Sequence, residues 1–272
     1  QSDSVVAYGG YGEIKNNNGG TASLGTSPTM GSGNFLHIVD SGGSGGRPGA
    51  AVLNFASAAN SWGAMSRQVN GKYVLNGAVD FLFRANDVTN AATYGWFYPI
   101  SIAGGDTNLS LYVQNANSQQ IKVEVNEPGG GAGNHSFTTS ALSNLFVAGE
   151  VRHVALTFST DAANNVTVKL FVRNDAGAIN PLTDVAAGSM TFQFALGGTD
   201  TKDSLLSTQA TTSWWFDNGA KFDSGVIRNN DYDTIRLYDS IPDTFAGVPV
   251  PEPAAVGMLG AGAAGLLLSR RR

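Results

Sequence analysis

Val151-Arg152-His153-Val154-Ala155-Leu156-Thr157-Phe158-Ser159 is followed by Asp161-Ala162-Ala163-Asn164-Asn165 and then by Val166-Thr167-Val168-Lys169-Leu170-Phe171-Val172-Arg173-Asn174. Two runs that alternate apolar and polar residues flank a polar turn carrying Asn-Asn, the pattern of an antiparallel hairpin. Outward from it the same period of two recurs. Val79, Phe81 and Phe83 share one face of the run from Ala78 to Arg84, and Leu109 to Gln114 alternates likewise. From Gln120 to Asn126, Ile121, Val123 and Val125 point in, while Lys122, Glu124 and Asn126 point out, until Pro128-Gly129-Gly130-Gly131 ends the strand.

Further strands are expected at Phe35 to Val39, Ala51 to Phe55, Trp96 to Ile102, Thr191 to Leu196 and Thr234 to Tyr238. Between Ala7 and Gly33 the Asn/Gly/Ser/Thr-rich text predicts loop with one edge strand. No amphipathic helix precedes the C-terminal tail, and no linker or fixed-period repeat divides the body. The expectation is one all-β domain over residues 1–247.

Two stretches resemble the LamG-like branch of the concanavalin A-like lectin/glucanase superfamily. Arg152-His153-Val154-Ala155-Leu156-Thr157-Phe158 matches its W-H-x-V-A-x-T-[FY] strand, with Val151 in place of the usual Trp. Asp231-Tyr232-Asp233-Thr234-Ile235-Arg236-Leu237-Tyr238-Asp239 is similar to the closing strand of such domains. The resemblance implies a two-sheet antiparallel β-sandwich of the jelly-roll, concanavalin A-like kind, with His153 in the scaffold. It implies no single function, because the fold hosts lectins, hydrolases and adhesive modules.

The last 24 residues have a different organisation. Pro249, Pro251 and Pro253 make 248–253 an extended spacer. Ala254 to Leu268 carries no charge and would form a helix of about 22 Å, and Ser269 then leads into Arg270-Arg271-Arg272. Terminal arginines hold that end on the cytoplasmic side, with the domain on the other. Residues 254–272 are thus expected to be a single transmembrane helix with its Arg cluster. Pro251-Glu252-Pro253, the apolar run and the arginines together resemble the PEP-CTERM sorting signal of Gram-negative bacteria. That resemblance implies an exosortase partner, membrane anchoring before processing, and a final place at the cell surface or in extracellular matrix.

Composition agrees with export. The chain has no cysteine, which excludes thiol catalysis, and its 35 glycines suit a loop-rich β protein. Gln1-Ser2-Asp3-Ser4 has neither a basic nor an apolar leader region, so the sequence is expected to begin at the mature residue. Leaving out Glu252 and the three terminal arginines, the body has 13 basic and 20 acidic residues, a net −7. An acidic surface without basic clusters argues against nucleic acid.

Catalytic signatures are missing. No HExxH is present. Retaining glycosidases need two carboxylates about 5 to 5.5 Å apart. The nearest approach, Glu124-Val125-Asn126-Glu127, puts its two acids on opposite faces of a strand, and the chain has only five glutamates. The expectation is therefore a protein that is not an enzyme, glycan-binding or adhesive. The alternatives are a glycan-active hydrolase and a purely structural matrix protein without a small ligand.

Trp96, Tyr98, Trp214 and Trp215 are the candidate ligand-binding residues, since planar aromatics stack on sugar faces. On a strand, Trp214 and Trp215 must point to opposite faces, which makes one of them a surface candidate; the alternative is that these aromatics are all sandwich core. Asp217, Asp223, Asp231 and Asp233 offer hard oxygen ligands for a structural Ca²⁺, although Asp is equally an ordinary turn former. Extracellular polysaccharide is the expected partner beyond the exosortase and the membrane.

Overall fold

The computed structural model describes residues 13–15, 21–27, 33–40, 50–55, 66–69, 72–86, 101–104, 109–115, 120–126, 134–142, 147–193, 212–216, 228–238 and 240–247. Among these residues there is no α-helix, and every strand pairing is antiparallel. One seven-stranded sheet, here sheet A, runs in the order β1 (Glu13–Lys15), β4 (Ala50–Phe55), β15 (Thr212–Phe216), β8 (Ser101–Gly104), β9 (Leu109–Asn115), β10 (Ile121–Asn126) and β11 (Asn134–Thr138). Sheet B runs β14 (Gly188–Phe192), β13 (Val166–Arg173), β12 (Val151–Thr160), β7 (Gly77–Ala85), β16 (Arg228–Tyr238), β3 (Gly33–Asp40) and β2 (Thr21–Ser27). A hairpin of β5 (Ser66–Val69) and β6 (Lys72–Leu75) stands apart.

The alternation read from the sequence places the core. Ile121, Val123 and Val125 of sheet A are buried, as are Val79, Phe81, Phe83, Val154, Leu156 and Phe158 of sheet B. At one margin the sheets meet through β11 and β14. The His135 ring stacks on Phe192 with centroids 4.1 Å apart, and the Phe137 ring fills the space in which Gly188 would carry a Cβ.

The β12–β13 hairpin forms as its text predicts. Asp161 Oδ1 accepts the Ala163 and Asn165 N–H groups at 2.9 Å, and Asn164 takes the left-handed conformation, φ 66°, that Asn tolerates. Other expectations shift. The strand expected at Thr191 to Leu196 is Gly188–Phe192, set by its pairing with Leu170 to Val166. Two strands rather than one, β1 and β2, lie between Ala7 and Gly33. The strand expected from Trp96 is described only from Ser101.

The run from Ala78 to Arg84 departs from the half-buried reading. Ala78, Asp80 and Leu82 are as buried as Val79, Phe81 and Phe83. Residues 174–187 and 240–247 cross the outer face of sheet B and cover it. Ile179 and Phe245 join these two segments by reciprocal backbone hydrogen bonds of 3.0 and 2.8 Å. Both side chains pack with Ala78, Ala155 and Phe171, and Ala186 and Tyr238 lie against them. A face closed off in this way can hold an aspartate only if its charge is met.

Candidate functional site

Sheet A presents two interleaved rows. Leu53, Trp214, Ile102, Leu111, Val125 and His135 stand in register across six strands. Val125 is 1% exposed, so this row has the parity of the interior. The next row is Val52, Trp215, Ser101, Tyr112, Glu124 and Ser136, with Glu13 of β1 opposite Val52. Ser136 at its end is exposed, and so is Thr138, which pairs with the half-buried Lys122. Asn126 and Gln114 share this outer parity through their pairs with Ser110 and Lys122. This second parity thus gathers two aromatic residues, two carboxylates, two amides, a lysine and hydroxyls at neighbouring register positions. The register separates Trp214 from Trp215 and puts Trp215 on the polar parity.

Sheet B holds two compensated carboxylates. Asp80, fully buried on β7, receives His153 Nε2 at 2.7 Å and Arg236 Nε at 2.9 Å, with a second bond from the Arg236 guanidinium to Oδ2. His153 Nδ1 lies 2.7 Å from the Gly177 carbonyl, so each ring nitrogen has a hydrogen-bond partner. The histidine is a scaffold residue that ties strand β12 to the covering segment. It has no access to solvent and cannot serve as a base for a bound molecule.

Asp231, on β16, lies directly across from Arg84 and His37 in the pairing of β7, β16 and β3. Its Oδ2 accepts Arg84 Nε and the second Arg84 guanidinium nitrogen at 2.8 and 2.6 Å and Asn86 Nδ2 at 2.8 Å, while Oδ1 lies 2.5 Å from His37 Nδ1. Arg84 also stands 5.2 Å from the Phe35 ring centroid. Asp233 Oδ1 accepts the N–H of Thr234 at 2.6 Å. Of the four aspartates offered for Ca²⁺, Asp231 is therefore engaged by an arginine, a histidine and an amide, and Asp217 and Asp223 lie outside the described residues. Among the described residues, no three His, Asp or Glu side chains converge as metal ligands.

Two exposed carboxylates are tuned by local bonds. The side-chain amide of Asn165, then its backbone N–H, hold Asp161 below the usual carboxylate range. Partial burial pushes Asp175 up, but the hydrogen bond from Arg173 and that from the Gly177 N–H outweigh it and leave this group low too.

Trp96, Tyr98 and residues 248–272, with Pro251, Glu252, Pro253 and the expected membrane helix, lie outside the described residues. Sequence reasoning singled out Trp215 but missed Tyr112 and Glu124 as its companions in one row. Their outward parity was readable strand by strand, whereas the order β15-β8-β9-β10 that brings them together was not.

Residues 249–272 match the PEP-CTERM protein-sorting motif. That motif marks an exported protein handled by an exosortase and held at the membrane before processing. Among curated proteins nothing matches the chain. Among solved structures, an endo-β-1,4-glucuronan lyase from the fungus Trichoderma reesei is similar at 12% identity and TM-score 0.56, over 86% of this chain and 93% of that one. The binding domain of botulinum neurotoxin serotype C1 is similar at 9% identity and TM-score 0.50, over 85% of this chain but 48% of that one. The alginate lyase Aly36B has 13% identity and TM-score 0.46, over 86% and 89%. At such identities the likeness shows the fold alone, a β-sandwich.

The expectation that the chain is not an enzyme is corrected by this finding. Its fold is one on which a polysaccharide lyase is built, over nearly the whole length of both chains. The missing pair of carboxylates, on which that expectation rested, bears on hydrolysis alone. Elimination next to a uronate carboxylate needs a proton acceptor, a proton donor and a group that neutralises the carboxylate, and no second acid.

Proposed function

We propose that the chain is an exported envelope or matrix protein whose β-sandwich is directed at polysaccharide, with the outer face of sheet A as its contact surface. The observation that carries this reading is the row Trp215, Ser101, Tyr112, Glu124 and Ser136. Trp215 and Tyr112 are separated by β8 alone, which puts their strands about 9.5 Å apart, on the scale of a disaccharide. Aromatic residues at such a spacing suit alternate rings of an extended glycan, and the amides and hydroxyls between them suit its hydroxyl groups. The net −7 of the body favours neutral glycans over polyanions. The LamG-like label for the sandwich belongs to the same reading, as does a final location at the cell surface after processing.

A second reading, elimination chemistry on the same face, is favoured by Tyr112 and Glu124 standing opposite each other, with Lys122 and Gln114 two pairs along. The full chain on a glycan array tests both readings when paired with an assay for unsaturated uronate products. Retention that falls on Trp215→Ala, without unsaturated products, supports recognition. Unsaturated products lost on Tyr112→Phe support elimination. No retention and no products from any polysaccharide would overturn the assignment of this face.

A further inference from the structure

Among the described residues, the exposed large hydrophobic side chains are Leu182, Val185 and Ile241, at 74%, 93% and 37% exposure. All three lie on the two segments that cover sheet B. The turn bearing Leu182 is held by polar bonds. Asn180 Oδ1 accepts the N–H groups of Leu182 and Thr183 at 2.9 and 3.2 Å, and Asp184 Oδ2 accepts that of Asn180 at 2.9 Å. The turn is thus satisfied by its polar groups, and its apolar side chains are left to solvent.

Beside the first of these segments the chain departs for its sorting tail. Phe245 is fully buried, the Ala246 carbonyl accepts a bond from Arg236, and Gly247 lies so close to Ala176 and Gly177 that a Cβ would overlap their backbone. The chain is pinned as far as Gly247. Only seven residue steps lead from there to Ala254, where the apolar stretch begins, and fully extended they reach about 25 Å. While the tail is anchored, this corner cannot move farther than that from the bilayer.

We propose that Leu182, Val185 and Ile241 form a membrane-docking corner that inserts into the interface of the phospholipid bilayer in which the sorting tail is held. The inference rests on the reading of 249–272 as a membrane anchor. The two segments themselves carry Asp175, Asp184 and Asp243 and no lysine or arginine. Docking therefore proceeds by apolar insertion and not by attraction to anionic headgroups. Tethering supplies a high local concentration of bilayer, so three shallow side chains suffice while the anchor is present. Once the tail is removed the same three hold poorly, and the domain leaves the surface.

The absence of cysteine gives a clean test. The full chain carrying Val185→Cys, labelled with an environment-sensitive fluorophore, is reconstituted in phosphatidylcholine vesicles containing a lipid quencher at the level of the glycerol backbone. Ala163→Cys, in the exposed β12–β13 turn, is the reference position. Quenching at 185 is expected to exceed that at 163 several-fold, to be insensitive to salt, and to drop when Leu182→Ser and Ile241→Ser are added. Equal quenching at the two positions in chains that float with the vesicles overturns the docking corner and leaves the anchor standing. Chains that do not float overturn the anchor, and the docking corner with it.

Discussion

Arg236 faces Asp80 because β16 carries a bulge. The pairing runs Asp233 to Leu82 and then skips to Arg236 and Asp80, so three steps on β16 match two on β7. Thr234 takes φ 51° to make the turn. On a regular strand Ile235 would lie opposite Asp80. The bulge changes the phase of the strand by one residue and sets a guanidinium against a carboxylate that is otherwise sealed under residues 174–187 and 240–247.

Asp80 is consequently the residue whose loss costs most. Asp80→Ala leaves Arg236 and His153 without their acceptor in a closed space, and is expected to destabilise the fold by about 3–5 kcal/mol. His153→Ala, which removes a ring and two hydrogen bonds but leaves Arg236 on Asp80, is expected to cost about 1–3 kcal/mol. Urea denaturation of the full-length variants checks the order. A larger loss from His153→Ala than from Asp80→Ala would contradict it.

Thr234 is β-branched in a conformation that L-residues with bulky side chains avoid. Thr234→Gly keeps the N–H bonded to Asp233 and removes the strain, with an expected gain of up to about 1 kcal/mol. A clear loss of stability in a melting experiment would mean that the threonine side chain contributes more than its backbone costs.

These features mark the limit of what the sequence discloses. The alternation of Val151–Ser159 and Val166–Arg173 was legible because period two is written residue by residue, and the Asn-Asn turn closes it locally. The burial of Asp80 was not, because the cover over sheet B comes from residues about 100 and 165 positions downstream, joined by Ile179 and Phe245. The bulge at Thr234 was hidden for a similar reason. Nothing in Asp233-Thr234-Ile235-Arg236 announces a phase change, and only the fixed position of Asp80 across the sheet rewards it. On sheet A, the separation of Trp214 from Trp215 followed from adjacency, but the row that Trp215 joins depends on strand order.

Acid lability follows from the two depressed carboxylates. Asp161 and Asp175 have folded-state values lowered by Asn165 and by Arg173 with the Gly177 N–H, so their contribution is complete above the unfolded carboxylate range. It is lost as pH falls through the lower, folded values. Urea midpoints measured from neutral to strongly acidic pH are expected to decline with a shallower acid limb in Asp161→Asn/Asp175→Asn than in the parent chain. Parallel limbs would show that neither carboxylate contributes.

The terminal arginines are expected to act on topology without touching the fold. Replacing Arg270, Arg271 and Arg272 with Asp removes the positive flank of the apolar run, and is expected to disturb membrane orientation or processing in cells. The melting of the domain is expected to stay unchanged, since among the described residues the last one pinned is Gly247. Normal maturation of the triple variant would remove the arginines from the sorting mechanism.

The two adjacent tryptophans give opposite expectations from one register. Trp214 stands in the row of Val125, which is buried, so Trp214→Ala is expected to open the interior and cost about 3–5 kcal/mol of stability. Trp215 stands in the row that ends at exposed Ser136, between Val52 and Ser101. Trp215→Ala is expected to change melting little and to weaken polysaccharide retention by about 1–3 kcal/mol, roughly 10- to 100-fold, if stacking supplies the contact. Affinity electrophoresis through gels with embedded polysaccharide, run beside thermal melts of both full-length variants, reads the two effects separately. Should both replacements destabilise the chain and neither alter its migration, sheet A has no aromatic platform and the polysaccharide-directed reading of that face fails.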